Sequence, residues 1–138
     1  MATTILDNAF VEFDSVDLSS YVRSVTLSYE AETGDDTAMS DNTRSNLAGL
    51  KNWSVEVELN QDYTSSAVDD TLFSKVGTAA TLTLRPDSGA ASATNPEYSA
   101  SAVLTSYPPL GGSVGDVHTT TASFVPGGSS PTLTRSTA

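Results

Sequence analysis

The chain has 138 residues, the size of one ordinary domain, and we expect a single domain over residues 1–138. It has no cysteine and one histidine, which excludes disulfides, thiolate metal sites and cysteine nucleophiles. Six Lys and Arg residues face 17 Asp and Glu residues, for a formal net charge of −11. This balance disfavours binding to nucleic acid, which requires clustered Lys and Arg, and to anionic membranes.

The N-terminal region predicts a short β connection and no targeting segment. The sequence MATTILDNAF lacks a basic stretch and a long apolar stretch, so we expect neither a signal peptide nor a membrane helix. The short apolar runs Thr3–Leu6 and Ala9–Phe13 flank Asp7-Asn8, residue types that favour turns, and predict a tight β connection there. Asp17 then predicts a turn, or a single helical turn that it caps.

Two segments show the period of two that is typical of strands. Tyr21–Glu30 alternates apolar with polar residues, which predicts a strand with one buried face. Trp53–Leu59 is the clearest strand, because strict alternation places all its apolar side chains on one face. Those apolar residues are Trp53, Val55, Val57 and Leu59.

The segment between these strands has a different character. Ala31–Ala48 is polar and has no sustained period, and we predict a long irregular loop over about residues 30–48. A loop of this length in a compact domain is usually functional or mobile.

One helix is predicted over residues 66–76. Ser66 is the expected N-cap, Asp69 and Asp70 lie in the first turn, and Gly77 follows the last turn. The apolar residues recur at spacings of three and four, as an amphipathic helix requires: Val68, Leu72, Phe73 and Val76.

The C-terminal half predicts further strands separated by Gly- and Pro-rich turns. They are Ala80–Arg85, Glu97–Thr105, Asp116–Val125 and a last edge strand at Thr132–Arg135. About eight short strands and one helix indicate a mainly β fold, either a β-sandwich or a partly open β-barrel with the helix against an end or face.

The residues give little reason to expect catalysis, a metal or a cofactor. His118 is the only candidate base for a Ser-His-Asp triad, and no nucleophile motif accompanies it. Asp35, Asp36 and Asp41 lack the fixed spacing, central Gly and terminal Glu of an EF-hand calcium loop. We therefore expect a non-catalytic protein.

Thr37–Tyr63 reads TAMSDNTRSNLAGLKNWSVEVELNQDY and resembles the middle of the tail-tube (major tail) proteins of bacteriophages with long non-contractile tails. In that family a long acidic loop leads through an Arg-containing segment and a Gly-Leu-Lys step into an alternating strand. Three later motifs are similar to the hairpin and outer loop of such subunits: LRPDSG at 84–89, NPEY at 95–98 and YPPLGGSVGD at 107–116.

The resemblance implies a structural protein of the virion tail that assembles in the host cytoplasm. Six copies would join their sheets edge to edge into a ring, and stacked rings would form a tube that conducts DNA during ejection. The expected partners are further copies of the chain, the tape measure protein, the tail terminator and the baseplate or tip proteins. DNA would pass the acidic lumen without specific binding, and no membrane is involved.

The resemblance also implies roles for two sets of residues. The long loop would contact the adjacent ring, and its candidate contact residues are Asp35, Asp36, Asp41, Arg44 and Leu47. Glu56 and Glu58, on the polar face of the predicted central strand, are the candidates for facing the lumen. Arg44 in an acidic loop is either a solvated charge or a partner for a carboxylate across an interface.

Two other functions agree with the same composition. Capsid decoration proteins and head-to-tail completion proteins are also small, acidic and rich in β structure. A carbohydrate-binding β-sandwich module would expose several aromatic side chains on one face, and one Trp and five Tyr make this function less favoured.

Overall fold

The computed structural model describes residue 3 and residues 5–137, and this part of the chain forms one antiparallel sheet and one short helix. The strands are β1 Phe10–Phe13, β2 Val16–Asp17, β3 Val22–Asp35, β4 Asn46–Asn60, β5 Ala79–Arg85, β6 Glu97–Ser106, β7 Thr119–Pro126 and β8 Thr134–Ser136. Helix α1 spans Val68–Leu72 and continues as a 3₁₀ turn over Phe73–Lys75, and a second 3₁₀ turn spans Ser19–Tyr21.

The strands follow the order β2-β1-β5-β6-β7-β4-β3 across the sheet. The last strand, β8, pairs with the start of β6, whereas β7 pairs with the end of β6. In the described residues no ladder joins β3 to β1 or β2, so the sheet has two free ends.

The sheet curls so that its apolar face is turned inward. The rings of Phe13 in β1 and Phe124 in β7 have centroids 4.9 Å apart, although β5 and β6 lie between these strands in the sheet. A flat sheet would hold them about 14 Å apart, at three strand spacings. The prediction of a mainly β fold, a sandwich or partly open barrel with one short helix, is confirmed.

Strand β4 supplies the most regular stripe of the core. Its alternating residues Trp53, Val55, Val57 and Leu59 are at most 4% exposed, which confirms the predicted face. Burying one such side chain contributes roughly 1.5–3 kcal/mol. The indole Nε1 of Trp53 donates a hydrogen bond of 2.7 Å to the backbone oxygen of Pro131, so the C-terminal segment is tied to this stripe.

The predicted β connection at Asp7-Asn8 is wrong. In the described residues Asn8 forms a single parallel bridge with Asp87, and part of the predicted first run, Thr4, lies outside those residues. The hairpin turn lies further along, at Asp14 and Ser15, which have φ of 52° and 64°, as the favoured two-residue hairpin turns require. The predicted helical turn after Asp17 is present as the 3₁₀ turn Ser19–Tyr21, but its N-cap is Leu18 without a side-chain cap. The Asp17 carboxylate accepts the Ser19 amide at 2.9 Å.

The helix is shorter than predicted, and its N-cap is Ala67 rather than Ser66. Ser66 has a φ of 63°, and its amide donates to the Asp70 carboxylate at 2.8 Å. The acidic first turn and the stop at Gly77, with a φ of 81°, are confirmed. No helix in the described part of the chain has the length and apolar character needed to cross a membrane.

About half of the predicted loop over residues 30–48 is regular strand. Strand β3 continues to Asp35 and β4 begins at Asn46, so the irregular part is 36–45. The sequence hid these strands because neither of their faces is buried. Alternation of apolar and polar residues is selected only where one face meets a core.

Truncating Phe124 tests the curled core. Phe124→Ala should lower the free energy of unfolding by about 3–5 kcal/mol, because it removes a buried ring and leaves a cavity. Its neighbour Val125 is 36% exposed, and Val125→Ala should cost less than about 1 kcal/mol. Urea unfolding followed by circular dichroism measures both, and equal losses would contradict the described core.

Candidate assembly surfaces

The outer halves of β3 and β4 form a ribbon that projects from the body of the sheet. Every residue from Tyr29 to Asn52 is exposed, and we call this segment the hairpin arm. Its ladder runs from Tyr29↔Trp53 to Asp35↔Asn46, six residue steps that span about 20 Å at the usual strand rise. Because an isolated two-stranded ribbon is only marginally stable in water, this arm is suited to contact a partner.

The arm has a bulge in its middle. The pairs Ala31↔Lys51 and Thr33↔Ala48 differ in register by one residue, so β4 has one extra residue opposite Glu32. A Cβ at Gly49 would lie 3.5 Å from the Glu32 carbonyl oxygen. Such bulges increase the local twist of a strand pair.

The tip of the arm is organised by its own polar groups. Arg44 Nη1 donates to Asp35 Oδ2 at 2.8 Å, and the Thr37 amide donates to Asp35 Oδ1 at 2.9 Å. Hydrogen bonds from Thr37, with a smaller contribution from Arg44, lower the pKa of Asp35 below its usual range. Asp41 accepts the Ala38 amide at 2.7 Å.

The structure therefore brings the predicted loop residues together on the arm. Asp35, Asp41 and Arg44 are bonded within the tip, and the amide of Asp36 donates to the Ser45 carbonyl at 3.1 Å. The carboxylate partner of Arg44 belongs to the same chain, although the Arg44 side chain is still 83% exposed. Leu47 is 66% exposed.

Sequence reasoning missed three exposed apolar residues on the arm. Tyr29, Met39 and Leu50 are 52%, 106% and 78% exposed. Tyr29 continues the alternation of the predicted strand Tyr21–Glu30, in which Val25 and Leu27 pack against the core. Tyr29 is exposed because it lies beyond them, where the arm begins and neither face meets the core.

A polar face lies on the side of β3, β4 and β7 away from the core. Glu56 is exposed and Glu58 is half-buried, and both point away from the buried stripe of β4. Arg23 lies 3.8 Å from the Glu58 carboxylate. The cross-strand neighbours of these two glutamates are all hydroxyl residues: Ser24, Thr26, Thr121 and Ser123.

A second apolar surface lies at the opposite end of β4 from the arm, where the chain leaves the sheet. We call it the end patch, and it is lined by Tyr63, Asp69, Phe73, Pro109, Leu110 and His118. Phe73 and Leu110 are 66% and 82% exposed. The exposure of Phe73 corrects the prediction that it lies on the buried face of the helix.

Polar contacts hold the end patch in place. Tyr63 Oη donates to the Pro109 carbonyl at 2.6 Å and lies 3.3 Å from Nδ1 of His118. Tyr107 Oη donates to Asp69 Oδ1 at 2.8 Å. In the described residues the His, Asp and Glu side chains do not form a group of three or more that could hold a metal ion.

The chain is similar to chains of solved structures, but comparison of its sequence finds no match. No protein-family model matches the chain, and no curated protein matches it. A solved structure described as the virion of a native gene transfer agent (GTA) particle contains a similar chain, with a TM-score of 0.70 and 17% identity. The match covers 94% of this chain and 95% of that one.

A second solved structure is similar over most of the chain. It is described as the tail of an empty GTA particle computed with helical refinement and C6 symmetry, and it matches with a TM-score of 0.64 and 18% identity. The match covers 84% of this chain and 82% of that one. At these identities, the two matches show that the chain shares its fold with chains of these particles.

Tyr107, which bonds to Asp69 of the end patch, makes the stability of the fold depend on alkaline pH. Burial, and to a smaller extent the Asp69 carboxylate, raise the pKa of Tyr107 to about 12. Its folded pKa lies above its unfolded value of about 10, so its contribution to stability is complete below pH 10 and is lost as pH rises towards 12. Tyr107→Phe should therefore reduce the fall in unfolding free energy between pH 9 and 11.5, measured by urea titration. An unchanged slope would contradict this assignment.

Proposed function

We propose that this chain is a tail-tube subunit, a structural protein of a phage-like tail that forms hexameric rings stacked into a tube. The observation that carries the proposal is the hairpin arm, a long ordered ribbon with every residue exposed. The fold shared with chains of GTA particles supports it, and one of those matches is a tail with C6 symmetry. No catalytic role is proposed.

Free strand edges support the formation of rings. In the described sheet β3 pairs on one side only, with β4, and its other edge is open along 14 residues. Strand β4 pairs with β7 only over Val55–Asn60, which leaves its outer half open as well. An open edge invites pairing with another chain, and a closed ring of copies removes it.

The arm is the proposed contact between stacked rings. Its tip presents Asp35, Asp36, Asp41 and Arg44, and Leu47 adds an apolar contact. The complete tail would also contain the tape measure protein, the tail terminator and the baseplate or tip proteins. The site of action is then the virion tail, assembled in the host cytoplasm.

The polar face of β3, β4 and β7 is the proposed wall of the lumen. Its hydroxyl residues and the carboxylates of Glu56 and Glu58 offer DNA no cationic cluster, apart from Arg23 beside Glu58. Phosphates are therefore repelled rather than bound. DNA would slide along this face during ejection without specific contacts.

Removing the arm tests the stacking role. Residues 31–51 can be replaced by Asn-Gly, because Glu30 and Asn52 are a cross-strand pair that a two-residue turn can join. The purified full chain should form rings and tubes in negative-stain electron microscopy. The armless variant should remain folded by circular dichroism and form no tubes, and armless tubes would contradict the assignment.

A point substitution at the tip separates assembly from folding. Arg44→Ala should reduce tube formation while the melting temperature of the subunit stays unchanged, because the Arg44–Asp35 pair is exposed and adds little stability. Sedimentation of tubes and thermal unfolding of the subunit measure the two effects. Equal losses in both would make Arg44 a residue of the fold alone.

Charge reversal on the polar face tests the lumen. Glu56→Lys places one cation per subunit in the proposed wall, and these tubes should retain short duplex DNA at low salt and release it as salt rises. The exposed Asp87 lies in the segment after β5, which is not a strand of this face, and Asp87→Lys makes the same charge change as a control. The lumen assignment fails if both variants co-sediment with equal amounts of DNA.

A further inference from the structure

The two exposed apolar surfaces of the subunit lie at opposite ends of one strand. The hairpin arm includes the beginning of β4, and the end patch begins just beyond Asn60, where β4 ends. From Leu50 to Asn60 the strand spans about 33 Å at the usual rise. Because these two apolar surfaces lie at opposite ends of the molecule, they cannot contact each other within one copy.

The first surface is a groove where the arm joins the body. It lies between the arm and the C-terminal segment and includes Tyr29, Leu50, Lys51, Trp53, Pro131 and Leu133 among its lining residues. The floor is fixed, because Trp53 is 4% exposed and is bonded to the Pro131 carbonyl. The rim is open, because Tyr29 and Leu50 are 52% and 78% exposed. We call this surface the arm groove.

The second surface is an open depression with exposed apolar residues in its lining. On the end patch the side chains of Phe73 and Leu110 project, with 66% and 82% of their surfaces exposed. Tyr63, which donates to Pro109, and Tyr107, which donates to Asp69, fix the backbone beneath them. These hydrogen bonds hold the residues around Phe73 and Leu110 in place.

The charges of the two surfaces are complementary. Lys51 is the only charged residue among those that line the arm groove, and it has no ion pair in the described part of the chain. Asp69 lines the end patch and likewise lacks a Lys or Arg partner among the described residues. An arm-to-arm contact would instead bring acidic residues of two copies together, at a cost.

We propose that the arm groove of one copy receives the end patch of a second copy, with Phe73 and Leu110 against Tyr29 and Leu50 and with Lys51 facing Asp69. The contact is heterologous and head to tail, so it repeats without closing and generates a polymer along the strand direction. The inference rests on the proposed stacking function and names the surface that the arm meets in the adjacent ring.

The absence of cysteine from the chain allows a clean cross-linking test. Leu50→Cys and Leu110→Cys proteins are prepared separately, mixed at equal amounts under assembly conditions and oxidised. A covalent dimer should form in the mixture and be lost on reduction. The matched control mixes the Leu50→Cys protein with an Ala93→Cys protein. Ala93 is an exposed residue of the loop before β6, and this mixture should give no dimer above background.

The outcomes separate this inference from the proposed function. If tubes are visible by electron microscopy but the Leu50–Leu110 dimer does not exceed the control, the docking surface is wrong and the tube function stands. If the mixture forms neither tubes nor dimers, both are contradicted. Dimers with tubes support both.

A second variant reports on the energy of the contact. Phe73→Ser should raise the concentration needed for assembly about tenfold or more, as expected when an aromatic anchor is lost from an interface. Because Phe73 is largely exposed in the subunit, the melting temperature of the monomer should not change. Unchanged assembly with Phe73→Ser would exclude Phe73 from the interface.

Discussion

The architecture depends on one constraint: strand β4 has a buried half and an exposed half. Over Trp53–Leu59 its alternating apolar side chains pack inside the curled sheet. Over Asn46–Asn52 the same strand continues with every residue exposed and only β3 beside it. The buried half anchors the ribbon to a stable body, which explains how a long two-stranded arm can remain ordered when such ribbons are marginal alone.

The sequence predicts the buried half well and the exposed half poorly, for a physical reason. The alternation of Trp53, Val55, Val57 and Leu59 reflects burial of one face, and the structure confirms it. The same signal is missing from residues 31–48, because no face of the arm meets a core in the subunit. Strand formation there is governed by backbone pairing with the opposite strand, which composition does not reveal.

The candidate surfaces divide in a similar way. The polar loop residues and the two glutamates could be named from the sequence, because charge and alternation place them on exposed positions. The end patch could not, since Phe73 fits the helical period of a buried face and yet is 66% exposed. The α-helix ends at Leu72, and none of the residues of the 3₁₀ turn that begins at Phe73 is buried. Exposed apolar residues are the candidates for contacts with other copies, and only the fold reveals which apolar residues are exposed.

Together, these features give the molecule two different ends. The arm lies at one end of β4 and the end patch at the other. Unpaired strand edges lie between them, and a polar face with two glutamates lies on the side away from the core. The fold shared with chains of GTA virions and tails agrees with such a part. A globular domain that acted alone would have little use for an ordered ribbon with no buried face.

Hydrogen exchange measured before and after assembly is the most direct test of the central claim that the arm is a contact between copies. Backbone amides in residues 30–52 are compared between dispersed subunits and sedimented tubes, and those of the buried stripe of β4 serve as the internal reference. We predict that arm amides exchange faster than those of the stripe in the free subunit, because a two-stranded ribbon opens easily, and become strongly protected in tubes, while the stripe is protected in both. Tubes in which the arm exchanges as fast as in the free subunit would contradict it.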